Sequence, residues 1–312
     1  MKKLRIIFMG TPDFAVPSLK ILLENGYNIV AVITAPDKPA GRGMKISESD
    51  VKKYALAQNL KILQPEKLKN AEFISELKSL NAGLQIVVAF RMLPEVVWNM
   101  PSLGTVNLHA SLLPQYRGAA PINWAIINGE KQTGVTTFKL KHEIDTGDIL
   151  LQEKINIGDT ETAGELYDRM KETGAKLLLQ TVNEISGGKL KETNQEELQQ
   201  NKGASPKLLH APKITAETGE IDWNKNVNEI YNVIRGLSPY PAAFTFLKDK
   251  KLKIFTSAKE QINSDEKPGK VMSDNKSFLK FSCNDGYISV KELQIEGKKK
   301  MLVDDFLRGW RM

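Results

Sequence analysis

The chain has 312 residues, 41% of them hydrophobic and 26% charged, with 44 Lys and Arg against 37 Asp and Glu for a net charge of +7. That length suits two domains, and that composition belongs to a folded globular protein rather than a disordered or fibrous one. The longest apolar runs are strand-sized, so no transmembrane helix is expected, and the single Cys283 excludes an internal disulfide and any cysteine-cluster metal site. The charge is uneven. Residues 1–200 carry 24 basic and 23 acidic side chains, residues 201–312 carry 20 and 14, so +6 of the excess falls on the shorter stretch. That is either a solvated lysine-rich surface or the footprint of a polyanion partner.

Met1-Lys-Lys-Leu-Arg-Ile-Ile-Phe8 has the order of charge and apolar residues of a signal peptide, but Arg5 breaks the run and Gly10-Thr-Pro-Asp13 turns the chain at once. Leu4–Met9 therefore predicts a first buried strand, with no leader and a cytoplasmic location expected. A helix follows, with Pro17 near its start and Gly26 just past its end. Asn28–Thr34 is a second strand. Residues 35–46 form a long Pro- and Gly-containing loop that carries Lys38, Arg42 and Lys45. Ser47 and Asp50 resemble a capping box for a helix to about Gln58. Lys61–Leu63 is a short strand, Asn70 caps a helix over Ala71–Leu80, and Leu84–Phe90, apolar but for Gln85, reads as a strand buried on both faces. A short helix over Leu93–Asn99, a strand over Thr105–Ala110, a helix over Ala120–Ile127 and strands over Gly134–Leu140 and Ile149–Ile157 come next. Glu161–Ile185 is a long amphipathic helix with weak points at Gly164 and Gly174. The alternation of strand and helix predicts an α/β fold over residues 1–193, a doubly wound, largely parallel Rossmann-like sheet.

Asn194–Asn201 is polar and Gln-rich and reads as a linker or frayed helix, so 194–209 is taken as the connection to a second domain at 210–312. There Asp222–Arg235 predicts one helix, capped by Asn224 or Asn226. After Pro241 the pattern changes to short strands split by turn signals: Phe244–Leu247, Lys253–Ser257, Gly269–Val271, Phe278–Ser282, Gly286–Leu293 and Met301–Val303. That spacing suggests a small β-barrel.

Side chains two apart on a strand share a face, so Asn107 and His109 converge on one substrate. An amide donor beside an imidazole suits acyl transfer, in which a carbonyl oxygen gains charge as a proton is lost. Asp145, in Ile144-Asp-Thr-Gly-Asp148, stands on another loop where it orients the His, holds a water or moves the proton; Asp-Thr-Gly-Asp is also ordinary turn chemistry. The first turn lacks the G-x-G-x-x-G of a dinucleotide dehydrogenase, no Walker motif is present, and the His and acidic residues show no metal-ligand spacing, so no metal is expected.

The run Asn107-Leu-His-Ala-Ser-Leu-Leu-Pro-Gln-Tyr-Arg-Gly118, followed by Asp145-Thr-Gly-Asp148, resembles the signature of the folate-dependent formyltransferases. Phe8-Met-Gly-Thr-Pro-Asp13, Pro36-Asp-Lys-Pro-Ala-Gly-Arg-Gly43, Arg117-Gly-Ala-Ala-Pro-Ile122, Ile221-Asp-Trp223 and Ile234-Arg-Gly-Leu-Ser-Pro-Tyr-Pro241 are similar to that family too, so the resemblance spans nearly the whole chain. It implies an OB-like second domain and 10-formyltetrahydrofolate as co-substrate. The implied acceptor is the amino group of methionyl initiator tRNA, formylated for translation initiation; a small amine such as an amino sugar nucleotide is the alternative. It further implies that Asn107 donates to the oxyanion, that His109 faces the formyl group to stabilise charge or relay a proton, and that Asp145 orients His109 and a water. Ser111, Leu112, Leu113 and Pro114 would line the folate site, with the pterin against the backbone near Phe90, Arg91 and Leu93. Phe90-Arg91-Met92 departs from the family's frequent Tyr-Gly-Leu, which leaves backbone contacts as the expected ones. Arg117 is assigned either to an anionic group of the ligand or to a structural salt bridge, and Asp148 to structure. The loop bearing Lys38, Arg42 and Lys45 would enter the tRNA acceptor region, and the basic second domain would add affinity that is largely independent of base sequence. A monomer is expected.

Overall fold

The computed structural model describes residues 3–40, 45–200, 207–262 and 265–310. It comprises two compact units: Met1–Arg117, Gly134–Ile155 and Asp168–Leu209 form the first, and Gly118–Thr133, Asn156–Tyr167 and His210–Met312 the second. The second unit therefore gathers two stretches that lie before the 194–209 segment in sequence.

The chain opens with β1 (Arg5–Gly10), α1 (Val16–Glu24), β2 (Asn28–Ile33), β3 (Lys38–Ala40), β4 (Lys45–Ser47), α2 (Asp50–Ala57), β5 (Ile62–Leu63), α3 (Ala71–Ser79), β6 (Leu84–Val88), α4 (Glu95–Trp98) and β7 (Thr105–His109). It continues through β8 (Arg117–Gly118), α5 (Pro121–Ile127), β9 (Gln132–Lys139), β10 (Ile149–Asn156), α6 (Ala163–Ser186) and α7 (Gln195–Gln200). Seven strands make the main sheet in the order β10-β9-β7-β6-β1-β2-β5. The β1–β2, β1–β6, β2–β5 and β6–β7 pairs are parallel and the β7–β9 pair is antiparallel. Every residue of Ile6–Met9 and of Leu84–Val88 is buried, as strands covered on both faces must be. One side of the first unit's core packs Ile7, Met9, Ile33 and Val87 against Phe73 and Leu77 of α3 and Val97 of α4.

Several local expectations are corrected. Residues 35–46 are not a structureless loop: β3 and β4 pair as a hairpin, Lys38 opposite Ser47 and Ala40 opposite Lys45. The cap of α2 is Ser49, whose side chain accepts from the Lys52 amide, rather than Ser47. Asn70 caps α3 as its sequence predicts, accepting from the amides of Glu72 and Phe73. Gly164 and Gly174 do not break α6. A Cβ on Gly174 would sit 2.8 Å from Leu108 Cδ2, and one on Gly164 2.5 Å from Pro239 Cδ, so both glycines permit close packing. Of the two readings of 194–201, a helix forms over Gln195–Gln200, with its first residue buried.

The second unit adds β11 (His210–Ala211), α8 (Val227–Gly236), β12 (Ala243–Leu247), β13 (Lys250–Gln261), β14 (Val271–Ser273), β15 (Leu279–Cys283), β16 (Gly286–Ile295), β17 (Met301–Leu302) and α9 (Val303–Gly309). Its sheet runs β12-β13-β16-β15-β14, with β17 also on β16 and antiparallel neighbours. Breaks in the β13–β16 register between Ile254 and Ser257 bend the long strands, giving a curled sheet of the OB-like kind. The predicted strand at Lys253–Ser257 is the middle of a twelve-residue strand. Asn226, not Asn224, caps α8 through a full capping box with Glu229. Val227, Ile230, Ile234 and Leu237 then face Leu252, Ile254, Phe281 and Leu293 in one core. The sequence reading omitted α9, which buries Val303, Phe306 and Leu307 at helical spacing.

Candidate active site

β7 lies between β6 and β9, with Asn107 opposite Val87 and Phe138 and His109 opposite Thr136. Strand alternation puts Asn107 and His109 on one face. Val106 and Leu108 point the other way, where Gly174 of α6 comes up against Leu108. The His109 ring is buried and Asn107 is half-buried.

His109 Nε2 lies 2.9 Å from the Tyr116 carbonyl oxygen. A carbonyl only accepts, so Nε2 carries a proton, and in the neutral form of the ring the lone pair is then at Nδ1. Asp145 Oδ2 is 3.8 Å from that Nδ1, an ion-pair distance once the ring is protonated and too long for a hydrogen bond. His109 therefore donates to a main-chain carbonyl, and the Asp145 carboxylate stands near its other nitrogen. Asp145 adopts φ 54° and Tyr116 φ 59°, both in the left-handed region. The Asp145 loop folds tightly because residue 147 is glycine: a Cβ there would lie 1.5 Å from the Lys139 carbonyl oxygen. Asp148 pairs with Lys141 at 2.7 Å at the edge of that loop.

Thr136, fully buried on β9 beside His109, organises the segment Ser111–Pro114. Its hydroxyl donates to the Ser111 carbonyl (2.6 Å) and accepts from the Leu113 amide (3.2 Å) and from Gln152 Nε2 (2.9 Å). Gln152 also donates to the Leu113 carbonyl (2.9 Å), and Ser111 Oγ donates to the Gln115 carbonyl (2.6 Å). The Leu113–Pro114 peptide is cis. Leu113 and Ser111 are buried, whereas Leu112 and Pro114 keep partial exposure.

At the end of β6, Ala89 has φ 47° and turns the chain into Phe90–Leu93. Leu93 is buried in the core beside Phe90. Arg91 donates to the Glu66 carbonyl at 2.8 Å and to the Pro65 carbonyl, and burial lowers its pKa from the ordinary guanidinium value. Its guanidinium is thus committed to the fold. Arg117 donates through Nε (3.1 Å) and Nη2 (2.6 Å) to Gln195 Oε1. Burial lowers the Arg117 pKa, opposed by the charges of Asp145, Glu143 and Glu196. Its partner is thus an amide rather than the salt bridge considered from sequence.

Lys38 is exposed at the base of the β3–β4 hairpin. That base is fixed by Gln64, which donates to the Ala35 carbonyl and to Asp37, and by Lys52, which donates to Asp37 and pairs with Glu48. Arg42 and the side chain of Lys45 lie outside the described residues. Within the second unit, Lys213, Lys251, Lys253, Tyr240 and Phe244 line a groove of about 480 Å³. Lys251 Nζ stands 3.5 Å from the Phe244 ring centroid, Lys253 donates to the Pro241 carbonyl at 3.0 Å, and Tyr240 is 83% exposed. Sequence reasoning missed that groove, as it missed Tyr116, Thr136, Gln152 and Gln195. Only the basic excess after residue 200 hinted at the groove. Among the described residues no three His, Cys, Asp or Glu side chains converge as a metal site, and no helix is long and apolar enough to cross a membrane.

The second unit's fold matches solved formyltransferases along with the first. A sugar 3N-formyl transferase solved with dTDP and 5-N-formyl-THF superposes with a TM-score of 0.66 at 23% identity, covering 96% of this chain and 100% of that one. An N-formyltransferase from Helicobacter canadensis gives 0.66 at 21% identity, over 92% and 98% of the two chains. At those identities the likeness concerns the fold. Sequence relatives are much nearer. Methionyl-tRNA formyltransferase of Bacteroides fragilis is 54% identical over 100% of this chain and 97% of that protein. The protein of the same name from Flavobacterium johnsoniae is 52% identical over 99% and 97%. The formyl transferase family model matches residues 2–182 and the model of its C-terminal domain matches 213–311, and with both domains present the chain belongs to the formyl transferase family.

Proposed function

We propose that this protein transfers the formyl group of 10-formyltetrahydrofolate to the free amino group of methionyl initiator tRNA, for translation initiation. The observation that carries the reading is identity above 50% to methionyl-tRNA formyltransferases over essentially their whole length, the basic C-terminal domain included. The sugar-directed formyltransferases share only the fold, at 23% identity or less.

The donor set fits this substrate. An amide and an imidazole lone pair share one face of β7 next to a carboxylate, which suits a carbonyl that gains negative charge while an amine loses a proton. 10-Formyltetrahydrofolate supplies the activated formyl carbonyl. Asn107 donates a hydrogen bond to the formyl oxygen as charge builds there. His109 Nδ1 takes the proton from the methionine amine as the new C–N bond forms, then returns it to the departing folate nitrogen. Asp145 stabilises the imidazolium during that interval. Ser111–Pro114, held by Thr136 and Gln152, and the backbone at Phe90–Leu93, Arg91 included, hold the folate, while the Arg91 guanidinium stays on the Pro65 and Glu66 carbonyls. Residues 1–193 carry folate binding and catalysis, 194–209 connect, and 210–312 bind tRNA. Lys38, Arg42 and Lys45 serve the acceptor end, and the Lys213–Lys251–Lys253 groove with Tyr240 offers phosphate and base contacts. The protein acts as a monomer in the cytoplasm.

The test is a formylation assay that offers methionyl initiator tRNA, a methionylated elongator tRNA and a 3-amino sugar nucleotide in parallel. Turnover is expected with initiator tRNA, at a kcat/KM well above that of the other two. Preferred turnover of the sugar nucleotide would overturn the assignment of the acceptor.

A further inference from the structure

A buried amide outside every motif read from the sequence ties the Asp145 loop to Arg117. Thr193 pairs with Ile149, the residue after the Asp145 loop, through two backbone hydrogen bonds of 2.8 and 2.9 Å. Asn194 then caps α7, accepting from the Glu196 amide at 2.8 Å. That places Gln195, 1% exposed, against the loop, while its neighbours Glu196 and Glu197 face solvent. Gln195 Oε1 accepts two hydrogen bonds from Arg117, and Nε2 donates to the carbonyls of Asp145 (2.9 Å) and Gly147 (2.7 Å). All four hydrogen-bonding positions of the amide are filled. A buried amide completed in this way fixes what it binds, and here it binds the backbone at Asp145 and two residues beyond it.

We propose that Gln195 is a positioning residue for formyl transfer: it holds the Asp145 loop so that the carboxylate stands opposite His109 Nδ1, and it aims the Arg117 guanidinium. This rests on the reading of Asp145 and His109 as the working pair. Asp145 sits in the left-handed region, φ 54°, a conformation that needs support from its surroundings. The Gln195 amide supplies that support through the Asp145 and Gly147 carbonyls. Gln195 touches no reacting atom in this scheme, so its removal acts on kcat through misplacement of Asp145. Misplacing a catalytic group by about 1 Å costs on the order of 100-fold in rate.

Two replacements separate the contacts. Gln195→Met keeps the length and removes all four hydrogen bonds. Gln195→Glu keeps the acceptor for Arg117 and removes the donors to Asp145 and Gly147. Both are expected to lower kcat by about 10- to 100-fold per folded enzyme, with KM for folate and tRNA within about threefold. The deciding measurement is a double-mutant cycle with Asp145→Asn. If Gln195 acts through Asp145, Gln195→Glu adds little to the loss already caused by Asp145→Asn. Full additivity of the two losses overturns the inference, and so does a Gln195→Glu enzyme with wild-type kcat beside an impaired Asp145→Asn enzyme. An Asp145→Asn enzyme with wild-type kcat refutes instead the catalytic reading on which the inference rests. If Gln195→Met fails to fold, the Gln195→Glu arm carries the same test.

Discussion

Replacing Asp145 by Asn removes one charge and little else. Asn tolerates the left-handed backbone better than most residues, and Asp145 has φ 54°. The main-chain carbonyl that Gln195 takes is unchanged by the replacement. Asp145 Oδ2 lies 3.8 Å from His109 Nδ1, with only 13% and 8% of the two side chains exposed. Two unit charges at that separation interact by about 4 kcal/mol at an effective dielectric of about 20. The attraction exists only after the imidazole has taken the proton of the attacking amine, so it acts on the transition state and not on the bound ground state. Losing between half and all of it lowers kcat by about 30- to 1,000-fold, at roughly 1.4 kcal/mol per tenfold. The assay is single-turnover formylation with tRNA and folate saturating, alongside a thermal melt. Asp145→Asn is expected to melt close to the parent. Asp145→Ala should show the same rate loss and a lower melting temperature, since Ala in the left-handed region costs about 1–2 kcal/mol. A kcat for Asp145→Asn within threefold of the parent would refute the electrostatic role.

Asn107→Ala should lower kcat by about 100- to 1,000-fold, the usual loss for one oxyanion donor, with KM for the folate little changed; a loss confined to KM would move Asn107 from catalysis to binding. Thr136→Val leaves the Ser111 carbonyl, the Leu113 amide and Gln152 without their common partner. Each such buried group costs about 1–3 kcal/mol, so a lower melting temperature and a raised KM for folate are expected, and an unchanged KM would show that Ser111–Pro114 does not seat the folate. Gly147→Ala should displace the loop, because the added Cβ would fall 1.5 Å from the Lys139 oxygen; activity equal to the parent's would contradict the need for that close approach. Lys213→Glu and Lys251→Glu should weaken tRNA binding and reduce the slope of log K against log salt by about 0.7–0.9 for each phosphate no longer neutralised, and a slope unchanged in both would take the groove out of the tRNA interface.

The strands of the main sheet were legible because burial on both faces leaves an unbroken apolar run, and Ile6–Met9 and Ile86–Val88 have nothing else to be. Helix starts were legible where one polar side chain does the capping, as Asn70 does. They slipped at α2: Ser47 with Asp50 three residues on imitates a capping box, but the β3–β4 pairing holds Ser47 in a strand and Ser49 caps instead. At Gly164 and Gly174 propensity tells only part of the story. Propensity counts what a glycine costs its own helix, while Leu108 and Pro239 decide whether any larger residue fits.

The candidate site divides in the same way. Asn107, His109 and Asp145 are chemically distinctive side chains, and period-two geometry on one strand relates the first two without a structure. What fixes them is of another kind. The hydrogen bond that sets the His109 tautomer comes from the Tyr116 carbonyl, and every residue carries a carbonyl, so no sequence pattern marks it. The two carbonyls that hold the Asp145 loop are equally anonymous, and their partner Gln195 lies in a run of Gln and Glu whose composition predicts exposure. Gln195 is buried because the Thr193–Ile149 bridge brings the start of α7 against the loop, joining residues 44 positions apart. Burial of that amide is tolerable only because both its donors and both its acceptor sites are used. A polar side chain in such a place is constrained from four directions at once, and the constraint falls on the backbone that carries Asp145.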